Sequence, residues 1–98
     1  MSFLYNHEQK EMSDFLKREI DPSYFYHQEL PEVELNRYGQ ACCFCEDKSG
    51  LRIDAKTGAF KCVVCKTEGN DIIEFTITKD KIQMYEALAK LEFIYCLG

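Results

Sequence analysis

Met12, Phe15, Leu16 and Ile20 recur at i, i+3, i+4 and i+8, one stripe of a 3.6-residue period, and predict a helix that stops near Asp21-Pro22. The same dipeptide opens the next element. Asp is a good N-cap and Pro fits the first helical position, so Ser23 to Leu30 reads as a short aromatic-rich helix (Tyr24, Phe25, Tyr26) ended by Pro31. From Val33 the pattern becomes alternation. Val33 and Leu35 share one face, Asn36 to Gly39 supply a turn, and a second strand is expected from Ala41. Leu51 and Ile53 alternate again, and Asp54-Ala55-Lys56-Thr57-Gly58 has the turn chemistry to join them to Ala59-Phe60-Lys61-Cys62 as a second hairpin.

Towards the C-terminus, Gly69-Asn70-Asp71 caps a helix beginning at Ile72, Ile73 and Phe75, and the β-branched run Thr76-Ile77-Thr78 predicts a break in it. Asp80 and Gln83 have capping-box spacing ahead of a last helix with Ile82, Tyr85, Leu88 and Leu91 or Ala89 as its apolar stripe. The expected fold class is a small α+β domain: an antiparallel sheet over residues 33–66 between a helical flank at 1–32 and another at 67–98. With 98 residues this is one domain, short enough that its core often needs a metal, a disulfide or a partner.

Composition adds the chemistry. The chain has 46% hydrophobic and 30% charged residues, and its longest apolar stretch, Phe93 to Leu97, is far too short to span a membrane. Residues 1–10 lack a basic region followed by an apolar one, so no secretory signal is expected and the compartment reads as reducing and cytoplasmic. In that setting six cysteines point to metal or reactive thiols rather than disulfides. Cys42-Cys43-Phe44-Cys45 and Cys62-Val63-Val64-Cys65 make two Cys-x-x-Cys pairs, 16 residues apart. Two thiolates three positions apart on a tight turn reach one ion, and two such turns close a tetrahedron with no position left for a catalytic water. One structural Zn2+ on Cys42, Cys45, Cys62 and Cys65 follows; mononuclear iron also accepts four thiolates. Cys43 and Cys96 are left as non-ligands. His7 and His27 have no Ser or Asp partner that would suggest a catalytic constellation, so the chain reads as a non-enzyme.

Two segments, Gly39-Gln40-Ala41-Cys42-Cys43-Phe44-Cys45-Glu46-Asp47-Lys48-Ser49 and Gly58-Ala59-Phe60-Lys61-Cys62-Val63-Val64-Cys65, resemble the N-terminal zinc-binding domain of bacterial and phage DNA primases. Asp71-Ile72-Ile73-Glu74-Phe75 and Glu86-Ala87-Leu88-Ala89-Lys90-Leu91 extend the resemblance, which covers about residues 11–92. Cys45 stands where most bacterial members have His, and Cys43 where Pro is usual. The Cys65 to Asp71 loop is one residue longer than the family's, with Lys66, Thr67 and Glu68 replacing small residues. The resemblance implies a zinc ribbon that contacts single-stranded DNA and helps a primase or polymerase begin a primer. A helicase is a further partner it brings into view. The sequence ends at Gly98 with no polymerase or helicase domain in it, so the expectation is that primer synthesis is catalysed by another chain or that this is a fragment of a longer protein.

Single-stranded DNA is held by cations along its backbone and by aromatic faces under its bases. Counting by thirds, residues 1–36 carry −5, 37–66 carry +3 and 67–98 carry −3. The basic middle offers Arg37, Lys48, Arg52, Lys56 and Lys61, interleaved with Tyr38 and Phe60. Lys48 is the residue the resemblance favours for positioning. One divalent ion on four thiolates brings the net charge from −5 to about −7, so stacking or a partner must add to any basic patch. The other reading is a protein-interaction module in which the ribbon only holds the fold. Its docking surfaces would be the acidic flanks, the Tyr24 to Tyr26 cluster and the Phe93 to Leu97 end.

Overall fold

The computed structural model describes residues 7–45 and 49–95. Its elements run α1 (His7–Glu19), α2 (Pro22–Glu29), β1 (Leu51–Ile53), β2 (Phe60–Cys62), β3 (Glu68–Gly69), α3 (Ile72–Asp80) and α4 (Met84–Ile94). The strands form one antiparallel sheet in the order β1-β2-β3. This is the expected α+β arrangement of a small sheet between N- and C-terminal helices.

Both N-terminal helices form for the reasons the pattern gives. Leu16 and Ile20 of the first stripe are buried and Met12 and Phe15 pack half-buried beside them. At the start of α2 the Asp21 carboxylate accepts the Ser23 N–H at 3.2 Å, with Pro22 where no donor is needed. Phe25 and Tyr26 point into the core, where they meet the Phe75 ring edge-on at centroid separations of 5.7 and 4.9 Å. The Tyr26 hydroxyl donates to the Gly58 carbonyl at 2.7 Å, tying α2 to the turn between β1 and β2. Gly58 sits at φ +83° with the Ile72 side chain against it, so this position needs glycine on both counts.

The hairpin of β1 and β2 pairs Leu51 with Cys62, Arg52 with Lys61 and Ile53 with Phe60. Leu51, Ile53, Phe60 and Cys62 face the core while Arg52 and Lys61 face outward. Asp54 closes the turn, its carboxylate accepting the N–H groups of Lys56 and Thr57.

The expected first hairpin over 33–45 is absent. Val33 and Leu35 do turn one face inward, half-buried, but Asn36 at φ 64° and Gly39 at φ 79° carry the chain off a strand path. The segment instead caps the outer edge of β1. Asn36 N–H donates to the Ile53 carbonyl at 2.7 Å, and Gln40 exchanges both backbone bonds with Leu51. An irregular loop thus satisfies an edge that a strand would otherwise pair.

Two C-terminal expectations also change. Helix α3 runs unbroken through Thr76-Ile77-Thr78, since Thr76 is buried and its hydroxyl donates to the Ile72 carbonyl at 2.9 Å. Packing outweighs the modest helix penalty of β-branched residues. The chain turns at Lys81, whose left-handed conformation ends α3. The next helix is capped three residues later than expected: Gln83 N–H donates to the Glu86 carboxylate at 3.3 Å, while Asp80 pairs with Lys90. Its buried stripe is Ala87, Leu88 and Leu91, and Tyr85 lies outside it. Helix α3 packs against both β3 and α4, and α1 packs against both helices. Among the described residues no helix is long and apolar enough to cross a membrane.

Candidate metal centre and the outer face of the sheet

The four cysteines of the two pairs converge. Their Sγ atoms all lie within 4.8 Å of one another, with Cys42 to Cys65 and Cys45 to Cys62 each at 3.9 Å. Four sulfurs about 2.3 Å from one zinc ion stand about 3.8 Å apart along each edge of the tetrahedron, so this donor set fits a single structural Zn2+ with no open position. Cys42 and Cys62 are buried and Cys45 and Cys65 half-buried. Cys43, exposed on the same turn, lies outside the cluster. Cys96 falls outside the described residues.

Local geometry explains why each pair reaches inward. In the first turn the Phe44 N–H points at Cys42 Sγ, 3.3 Å away. The second turn is the loop of the β2–β3 hairpin. Lys66 takes φ 64°, its N–H bonding the Cys62 carbonyl, and Cys62 N–H bonds the Thr67 carbonyl. Strand β3 is only two residues long and went unforeseen, yet it fixes this turn by pairing Lys61 with Glu68 and Phe60 with Gly69. Burial pushes the Cys42 thiol up to about 12. The hydroxyl and backbone N–H of Thr67 instead hold Cys65 down to about 6; Cys65 Sγ and Thr67 Oγ1 are 3.2 Å apart. Thr67 is a supporting residue that the cysteine spacing alone did not reveal.

The residues expected to meet DNA separate into distinct places. Arg52 and Lys61 are directly opposed on the outward face of the sheet. The Arg52 guanidinium lies 4.7 Å from the centroid of the Tyr38 ring, and Tyr38 is 75% exposed. Next in the row, Glu68 stands 3.9 Å from Lys61. With Val63 and Asn70 these side chains line a shallow open groove. Arg52 Nε is buried there with no hydrogen-bond partner among the described residues.

Phe60 does not join that face. It is 2% exposed and stacks on Phe44 and Phe75 at 5.5 and 5.3 Å, so its ring is core and has no face to offer a base. Arg37 is ion-paired with Glu34, and Lys56 sits on the turn at the far end of the hairpin from the cysteines. Lys48 lies outside the described residues. Sequence reasoning missed Glu68, although Lys61 and Glu68 bracket the Cys62 to Thr67 loop as a register-matched pair of opposite charges.

No protein-family profile, curated protein or solved structure matches this chain. The cysteine cluster and the small α+β fold around it are those of a zinc-ribbon-like, metal-stabilised module.

Proposed function

We propose that this module lays single-stranded DNA across the outer face of its sheet for a primase or polymerase. The observation that carries the reading is the row Tyr38, Arg52 and Lys61, a largely exposed aromatic residue with one cation over its ring and a second directly across the strand pair. A base can stack on the aromatic ring while the guanidinium and ammonium meet the backbone phosphates. Zinc then serves this face indirectly. Cys62 ends β2, so the metal that holds Cys62 holds the strand register that sets Lys61 opposite Arg52. The reading requires a reducing compartment, because a disulfide would consume the thiolates.

Anisotropy of labelled single-stranded oligonucleotides, with and without chelator and at two salt concentrations, tests it. Two phosphate contacts give a shallow salt slope, about −1.4 in log K against log salt. Arg52→Ala and Lys61→Ala should each reduce that slope by about 0.7, and Tyr38→Ala should lose about 1–3 kcal/mol with the slope little changed. Folded, zinc-loaded variants that all bind as the parent does would sink the reading.

A further inference from the structure

Helix α4 is apolar on two sides. Ala87, Leu88 and Leu91 are buried. On the opposite side Tyr85, Ala89 and Phe93 fall at i, i+4 and i+8, and all three are exposed, Tyr85 to 58% and Phe93 to 83%. Single exposed apolar residues are ordinary on a surface. This is a stripe roughly 12 Å long, with alanine between two aromatic residues, which leaves room for a second backbone to approach at its centre.

Charge decides what approaches. Helical spacing places Glu86 on one border of the stripe and Glu92 on the other, and the single lysine of α4, Lys90, is ion-paired with Asp80. The last third of the chain carries −3. A second copy packed on this face would bring these carboxylates against their own images, and an anionic lipid surface would repel them as well. A helix with lysines or arginines along both borders of an apolar stripe meets the aromatics and the carboxylates together. We infer that the outward face of α4 is a docking surface for a basic amphipathic helix of a partner protein. The inference stands independently of the nucleic-acid reading.

The probe is a helical peptide of about 18 residues with a leucine stripe bordered by lysines, and its control replaces every lysine with glutamate. Added to isotope-labelled, zinc-loaded protein, the lysine peptide should shift the amide resonances of Tyr85, Ala89 and Phe93 and leave those of Arg52 and Lys61 in place. Phe93→Ala should weaken binding about tenfold or more, and the double variant Glu86→Gln, Glu92→Lys, in which Gln keeps the acceptor for the Gln83 N–H, should do the same, while Arg52→Ala binds as the parent. Thermal unfolding of each variant controls for folding. Equal binding of the glutamate peptide, or unchanged affinity in Phe93→Ala, overturns the inference. So does a dimer in sedimentation equilibrium that Phe93→Ala abolishes, which would give the face to a second copy.

Discussion

Cys42 and Cys43 are adjacent in sequence and identical in chemistry, yet only Cys42 reaches the cluster. The difference is direction: the turn that carries Phe44 N–H towards Cys42 Sγ leaves Cys43 facing solvent. Cys62→Ser should therefore lose zinc and leave the sheet unfolded or molten, since metal contributes on the order of 10 kcal/mol to small zinc domains. Cys43→Ser should keep one equivalent of metal. Zinc content by mass spectrometry under native conditions, with far- and near-ultraviolet circular dichroism, distinguishes them; metal loss in Cys43→Ser would overturn the assignment. Gly69 is decisive in another way. A Cβ there would collide with the edge of the Phe60 ring, and the ring cannot retreat because Phe44 and Phe75 hold it. Gly69→Ala should cost about 1–3 kcal/mol in urea unfolding, with the four cysteines still able to take metal.

At the scale of elements, the parts legible in the sequence were those whose signal is local. The α1 stripe, the Asp21-Pro22 boundary, the Asp54 turn and the two Cys-x-x-Cys turns are each written within a few residues, and each stands where expected. Most of the misses come from tertiary contacts. Val33 and Leu35 alternate as a strand would, but their backbone caps an edge; Thr76 is β-branched, but burial keeps it helical; Phe60 sits among cations in sequence, but its side chain faces the core. Strand β3 is too short to carry a period at all. Asp71 shows how a local signal and a tertiary one can coincide. Its carboxylate accepts Ile73 N–H at 3.0 Å and Glu74 N–H at 2.9 Å, and its second oxygen lies 3.6 Å from Lys17 Nζ on α1. Asp71→Ala should lose about 1–2 kcal/mol, chiefly from the cap. Lys17→Ala should lose less than 1 kcal/mol, because that lysine is partly exposed and its nitrogen stands 3.6 Å from the carboxylate. Chemical denaturation of the two variants and the double variant measures both, and an equal loss in Lys17→Ala would show that the ion pair, not the cap, is what matters.

For the whole molecule, charge and metal are coupled. The acidic flanks surround a cationic middle, and the thiolates that hold the metal add negative charge to that middle, so protonation decides how much of the module is assembled. Zinc requires deprotonated sulfur, and each thiol that must release a proton makes affinity rise with pH. Burial pushes the Cys42 thiol up to about 12, so across the neutral range metal must displace its proton. Cys65 behaves oppositely. Thr67 holds it near 6, so it releases no proton to metal well above that pH and begins to compete below it. A folded-state pKa below the ordinary thiol value favours the thiolate, and that advantage is lost as pH falls through about 6. Zinc affinity, measured by competition with a chromophoric chelator, should therefore fall steadily from pH 8 to about 6.5 and more steeply below about 6. Thr67→Val removes the hydroxyl that steadies Cys65; it should move the steep region to higher pH while leaving the ligand count at four. A profile that does not move in Thr67→Val would show that the hydroxyl plays no part in setting the thiolate.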